Sequence, residues 1–377
     1  MEKLASRSVL WLAGVRRAGK TVLCRSMDNA QYFDCELPRV RQQLEDAESF
    51  FSRHRDGFVV LDEIHRLVNP SEVLKIAADH FPDIRVVATG SSTLAAKRKF
   101  ADTLTGRKHT LWLTPSILED LDNFGIDDLD TRMLRGGLPP FLLTDRLDDE
   151  NFREWIDSYW AKDLQELFVI ERKAAFMKLM ELLFRQSGNL FEAQALATAC
   201  EISRQTVQNY IEALQITLVL IVLRPFSGAS AAEVKRQPKI YAFDTGMVCY
   251  FRGIDSLRDE DRGLLLEHLV LGELLARWPR EQVYFWRDKQ KHEVDFILKP
   301  GRSKQVLAIE CKSNYRHFDP SGLRSFRRRH PHGKNLVVSL DHVEPWVKSY
   351  GEIDVEFVPI DLFPDYIDPG SLDLLTK

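Results

Sequence analysis

The apolar positions of this chain fall first into short unbroken runs that end in small or acidic residues. Ser8-Val-Leu-Trp-Leu-Ala13, Phe58-Val-Val-Leu-Asp62-Glu63 and Arg85-Val-Val-Ala-Thr-Gly-Ser91-Ser92 each predict a strand buried on both faces. Tyr32-Phe33-Asp34 and His109-Thr-Leu-Trp-Leu113 predict two more. Helical patterns fill the gaps. Strands alternating with helices imply a parallel sheet covered on both sides, with ligands at the carboxyl ends of the strands.

From about Asp130 the β patterns stop. Residues 151–180 are helical in composition, with Trp155, Tyr159, Leu164, Leu167 and Phe168 near a three-to-four spacing, and are expected to form a helical lid. Between Leu190 and Leu220 the pattern predicts two helices around a tight turn. Ser203 is the expected N-cap of the second, which opens at Arg204, and Leu218–Leu223 supplies a strand or wing. This is a winged-helix pattern. Further on, Glu293–Leu298 and Val306–Lys312 alternate as strands, and Leu264–Glu273 is a helix. The expected organisation is therefore an α/β chain of four parts. These are a parallel-sheet domain over 1–128, the helical lid over 129–175, the winged helix over 176–228, and a second α/β domain over 229–377.

The first part carries the sharpest chemistry. Gly14-Val-Arg16-Arg17-Ala18-Gly19-Lys20-Thr21 fits the phosphate-binding loop G-x-x-x-x-G-K-[ST], between a strand and a helix that Val22 continues. Such a loop turns backbone N–H groups and a helix N-terminus toward phosphate oxygens. Lys20 is placed on the β- and γ-phosphates, and Thr21 on Mg²⁺. Asp62 and Glu63 end a buried strand downstream. An Asp there holds Mg²⁺ and a neighbouring Glu polarises the attacking water. Ser91, with Thr89 and Ser92 beside it, is the candidate reader of the γ-phosphate. Arg107 is the candidate for neutralising developing charge, in cis or from a neighbouring subunit, although a surface arginine after a turn is an equal reading.

These residues resemble the prokaryotic AAA-type ATPases of the archaeal-ATPase kind, which carry a C-terminal domain of unknown function. Their loop typically reads G-P-R-Q-x-G-K-T. Gly14, Arg16, Gly19, Lys20 and Thr21 match it, while Val15 and Arg17 depart. Leu61-Asp62-Glu63-Ile64, Thr89-Gly90-Ser91-Ser92, Leu104-Thr-Gly106-Arg107, Leu113-Thr-Pro115-Ser116 and Arg135-Gly136-Gly137-Leu-Pro139 also match. The resemblance covers nearly the whole chain and implies an AAA+ P-loop domain. Family members usually carry a segment before the first strand that can contribute to the adenine pocket, and this chain has little there.

The last part holds a second constellation. Asp295 on one strand faces Glu310-Cys311-Lys312 on the next, and Glu310 and Lys312 share a face. An Asp opposite Glu-x-Lys is the core of the PD-(D/E)XK nuclease pattern. Two carboxylates hold a divalent metal, and the lysine orients or activates water. Glu267, on the upstream helix, is where a third acid is expected. The resembling family likewise carries a restriction-endonuclease-like C-terminal region.

Charge separates the two candidate nucleic-acid regions. Over 178–224, four basic residues balance four acids, so Arg204, Gln205, Gln208 and Asn209 on the second helix are compatible with base contact or with protein packing. Over 301–337, nine basic residues face two acids in a chain whose net charge is −4. Arg324, Arg327, Arg328 and Arg329 lie beside the Glu-x-Lys strand, where a phosphate backbone would run. The five cysteines are scattered without metal-ligand spacing, the N-terminus shows no signal-peptide pattern, and no apolar run approaches membrane-spanning length. The expectation is a cytoplasmic enzyme that uses ATP and Mg²⁺, with DNA and a homo-oligomer as partners and no membrane. It would hydrolyse ATP and couple this to a DNA-binding, metal-dependent nuclease-like domain. The competing expectation is an ATP-dependent switch or scaffold whose C-terminal domain binds a partner without cleaving nucleic acid.

Overall fold

A computed structural model describes residues 6–54, 57–90, 103–165, 168, 170–227, 237–301, 303, 305–341 and 344–370. Ser91 and Ser92 lie outside the described residues. The chain forms two compact units. The first comprises Met1–Thr114, Arg153–Ile170 and Ile216–Val219; the second comprises Pro115–Phe152, Glu171–Gln215 and Leu220–Lys377.

The first unit is built on β1 (Val9–Gly14), β2 (Ala30–Asp34), β3 (Phe58–Asp62), β4 (Arg85–Thr89) and β5 (Lys108–Leu113), in the order β2-β3-β4-β1-β5. Every pair is parallel. Alternate residues feed opposite faces. Val9, Trp11, Val59, Leu61, Val86 and Ala88 pack one way, against Phe50, Phe51, Leu74 and Ala77 from the helices Ala47–Ser52 and Pro70–His80. Leu10, Leu12, Val60 and Val87 pack the other way, with Cys24 of the helix Lys20–Arg25. Burial on both sides is why these strands carry unbroken apolar runs. The five predicted strands are all present.

The helical stretch after Asp148 is interrupted. The helix Asp149–Tyr159 passes into a π turn, Trp160–Leu164, and the next helix, Lys173–Arg185, opens only after a break. Residues 153–170 group with the parallel sheet, whereas 129–152 and 171–175 belong to the second unit. The stretch 129–175 is therefore shared between the two units.

In the second unit, Lys173–Arg185 is followed by Ala193–Cys200 and Arg204–Ile216, and then by an antiparallel pair, β6 (Leu220–Leu223) with β7 (Lys239–Ala242). Ser203 Oγ accepts from Thr206 N at 3.0 Å, the N-cap its position predicted. A six-stranded sheet completes the unit. It contains β8 (Val283–Arg287), β9 (Glu293–Leu298), β10 (Leu307–Lys312), β11 (Asn335–Ser339), β12 (Trp346–Tyr350) and β13 (Ile353–Pro359), ordered β12-β13-β11-β10-β9-β8. β8, β9 and β10 form an antiparallel meander. β10 and β11 are parallel, so a crossover must join them, and the helix Ser321–Arg329 supplies it. The long helix Asp259–Arg277 packs on β10.

Candidate nucleotide site and a second carboxylate cluster

The loop Gly14–Thr21 leaves the carboxyl end of β1. Gly14 has no room for a side chain: a Cβ there would lie 2.6 Å from Leu113 O of β5. Gly19 sits at φ 95°, a left-handed conformation that glycine adopts freely and that turns the chain into the helix Lys20–Arg25. Lys20 Nζ donates to Gly14 O and Val15 O, both at 2.9 Å, so the ammonium lies across the mouth of the loop. Burial lowers the Lys20 pKa, and the nearby Glu63, Asp163 and Asp62 carboxylates oppose that shift. Val15 and Ala18 are buried, whereas Arg17 is exposed. Val22, in the first helical turn, is 72% exposed, an apolar surface beside the loop.

Asp62, at the end of β3, is 2% exposed and is bonded by hydroxyl groups. Thr21 Oγ1 donates to its Oδ2 at 2.8 Å, Tyr32 OH donates to Oδ2 at 2.5 Å, and Thr89 Oγ1 donates to Oδ1. Thr89 also accepts from Glu63 N at 3.0 Å. It therefore fastens the Asp62-Glu63 corner. Glu63 adopts φ 54° and its Oε2 lies 3.0 Å from His65 Nδ1. Burial pushes the Glu63 carboxyl up, but His65, Lys20 and Arg16 outweigh it and hold the pKa below its ordinary value. Glu63 is thus ionised at neutral pH, as a residue that accepts a proton from water must be.

Thr21 and Asp62 fit Mg²⁺. Their oxygens already meet, both are hard ligands, and Mg²⁺ is commonly held by one carboxylate together with a hydroxyl and phosphate oxygens. Tyr32, His65 and Asp163 were not among the predicted site residues. Only the alternation within Ala30–Asp34, which puts Tyr32 and Asp34 on one face, carried a hint of the first.

Arg107 stands elsewhere. β5 runs parallel to β1 with Val9 opposite Lys108 and Gly14 opposite Leu113, so Arg107 is level with the start of β1. About six strand steps, roughly 20 Å, separate it from the loop. It bonds to Asp79 Oδ1 at 2.6 Å. Within one chain it cannot touch the phosphates. The strand direction decides this, because ligands meet the opposite end of the sheet.

In the second unit, β9 and β10 bring Asp295, Glu310 and Lys312 together. Lys312 Nζ is 2.8 Å from Glu310 Oε2 and 3.8 Å from Asp295 Oδ2, and Asp295 Oδ2 accepts from Cys311 N at 2.8 Å. Burial and the Asp295 charge push the Glu310 carboxyl up, to about 8. Lys312 is raised despite its burial, because both acids favour its charged form. Glu267 faces the same cluster: burial and the Asp295 charge push its carboxyl up to about 7. Its Oε2 accepts from Tyr241 OH at 2.8 Å, and among the described residues no group of three or more acids, histidines or cysteines is placed to hold a metal. Asp295 and Glu310 form a pair, and two carboxylates suit a Mg²⁺ ion that keeps several waters. β7 contributes a further cation: Lys239 is buried and pairs with Glu293 at 2.5 Å. Of the clustered arginines, Arg327 is buried and bonded to Asn335 Oδ1 at 2.6 Å and to backbone carbonyls, so it fastens the turn before β11, while Arg324, Arg328 and Arg329 are exposed.

All five cysteines are free and buried. Among the described residues no helix is long and apolar enough to cross a membrane. An AAA domain matches residues 6–121, and two domains of unknown function, DUF8612 and DUF4143, match 126–258 and 262–362. Two curated relatives, uncharacterized proteins Rv2008c of Mycobacterium tuberculosis and Mb2031c of Mycobacterium bovis, are each 30% identical over 85% of this chain and 73% of their own length. Among solved structures, AMPPCP-bound DnaA from Aquifex aeolicus overlaps 56% of this chain and 82% of its own, at 12% identity and a TM-score of only 0.28. The chain belongs to the family of these two mycobacterial proteins, with an AAA domain over residues 6–121.

Proposed function

We propose that the chain binds and hydrolyses ATP at Gly14–Thr21. The observation that carries this is the meeting of Thr21 and Asp62 at 2.8 Å beneath the loop, with Glu63 adjacent. Lys20 and Arg16 supply positive charge for the phosphates, and backbone N–H groups of the glycine loop would add donors. Thr21 and Asp62 hold Mg²⁺, and Ser91 and a second copy's Arg107 complete the set as proposals. When bound, the ion neutralises charge developing on the phosphates. Glu63 orients a water and accepts its proton, with His65 fixing the carboxylate. The test is phosphate release from ATP with Mg²⁺. Wild type should turn over and Lys20→Ala should not; equal release from both sinks the assignment.

A second reading concerns the second unit. Asp295, Glu310 and Lys312 meet on a framework of helix, three-stranded meander, crossover helix and parallel strand, the arrangement expected of a PD-(D/E)XK unit. The three helices and the β6–β7 pair that precede it in sequence support a winged-helix reading. These support a DNA-binding unit that cleaves phosphodiesters with a divalent ion on Asp295 and Glu310. Incubation of several DNA forms with Mg²⁺ or Mn²⁺ tests it. Cleavage lost in Asp295→Ala supports the reading. No cleavage by wild type leaves an ATP-dependent switch whose second unit binds a partner.

A further inference from the structure

Arg16, in the middle of the loop, is held twice by the segment that follows Asp149. Its Nε donates to Asp163 Oδ2 at 2.6 Å, and its carbonyl accepts from the Trp155 indole at 3.2 Å. Both partners belong to the same unit as the loop. The Trp155 ring is fully buried, stacks on Tyr159 at 5.2 Å, and Tyr159 is anchored by Thr217 at 2.6 Å. Asp163 itself stands on the π turn Trp160–Leu164, a local irregularity that often marks a functional position in a helix. The side chains of Arg16 and Asp163 are 25% and 14% exposed, so the pair is partly desolvated. The same carboxylate also acts electrostatically on Lys20. Burial raises the Asp163 pKa although Arg16 opposes the shift, so loss of Arg16 would leave a partly buried carboxylate without its cation unless the segment carries it toward water.

Phosphate oxygens and a carboxylate are alternative acceptors for one guanidinium. We propose that Asp163 is a built-in competitor for the loop: it occupies Arg16 until a nucleoside triphosphate displaces it, and the displacement frees the segment from Trp155 to Leu164. This rests on the assignment of Gly14–Thr21 as the ATP site. Asp163 touches no reacting atom; it is a positioning residue that sets triphosphate affinity and links occupancy of the loop to this segment.

The test measures affinity of the full-length chain for a fluorescent ATP analogue and for inorganic tripolyphosphate, in wild type, Asp163→Asn, Arg16→Ala and the double variant. Asp163→Asn should bind both about tenfold more tightly, the size of one charge-assisted bond discounted for its partial exposure. In the Arg16→Ala background the same substitution should tighten binding clearly less than in wild type, because only the longer-range action of the carboxylate on Lys20 remains. A merely structural role would lower the melting temperature without this coupling. Hydrogen exchange on wild type gives a second measurement that needs no variant. Amides over 155–164 should exchange faster when tripolyphosphate is added. Wild type that binds neither probe overturns the ATP site itself. Wild type that binds, with Asp163→Asn no tighter or with unchanged or slower exchange over 155–164, overturns the competition alone.

Discussion

The loop at Gly14–Thr21 and the cluster at Asp295–Lys312 both place charged side chains on strands or at their carboxyl ends, yet their charges are satisfied in opposite ways. In the first, Asp62 is held by the hydroxyls of Thr21, Tyr32 and Thr89, and Lys20 rests on two backbone carbonyls. Such neutral partners exchange readily for a metal ion or a phosphate. In the second, acids are matched with built-in ammonium groups, buried Glu310 with Lys312 and half-buried Glu293 with buried Lys239. A ligand there must displace the lysines that the chain itself supplies. The first site keeps its metal-binding carboxylate and its lysine on neutral partners, with the Arg16–Asp163 pair as a built-in competitor; in the second the acids themselves are partnered by lysines of the chain.

The largest expected effect would break the comparison at the loop. Lys20→Ala should lower ATP hydrolysis by at least about 100-fold, as loss of a preorganised charge does, while changing thermal stability little. A phosphate-release assay beside a melting curve checks both. Next comes a pH effect confined to the second unit. Burial drives the His268 pKa down to about 4. Its Nδ1–H donates to Leu264 O at 2.8 Å, and Ser187 Oγ donates to Nε2 at 2.7 Å, which assigns the neutral tautomer from the bond pattern. The unfolded chain binds this proton first, so stability is full above about pH 6.5 and is lost as pH falls toward 4. The loss from this group is about 3 kcal/mol, measurable by denaturant titration of the isolated transition. A smaller effect sharpens the contrast between neutral and charged partners. Lys312→Met leaves Asp295 and Glu310 without their cation and should destabilise the second unit by about 2 kcal/mol. Because Glu310 titrates upward, the loss should grow as pH rises from 5 to 9, and nucleotide binding should be untouched. The smallest is Tyr32→Phe. It removes one hydroxyl from Asp62, so the Mg²⁺ concentration giving half-maximal hydrolysis should rise a few-fold, about 1 kcal/mol, with little change in maximal rate.

What the sequence revealed follows the same division. The parallel sheet was legible because its strands are buried on both faces and must be apolar throughout. The loop was legible because phosphate binding needs glycine, lysine and threonine at fixed spacing in one stretch of chain. Asp62 and Glu63 were legible by their place at the end of a strand. Tyr32, His65 and Asp163 were not, because each enters the site from a different part of the chain and carries no spacing relative to the loop. Arg107 precedes a parallel strand and so lies at the end of the sheet away from the loop, which leaves its neighbouring-subunit and surface readings. Asp295, Glu310 and Lys312 came together as strand alternation required, and Glu267, on a helix, faces them while bonded to Tyr241. The stretch 129–175, expected as one lid, is divided between the two units, with 153–170 in the first and 171–175 in the second, a division that composition does not mark.

The central claim is hydrolysis with Glu63 as the residue that activates water. The most direct measurement compares ATP binding and phosphate release in wild type and Glu63→Gln. Glu63→Gln should bind ATP as tightly as wild type or more tightly and release phosphate at least about 100-fold more slowly. Release by Glu63→Gln at the wild-type rate, with binding intact, would contradict it.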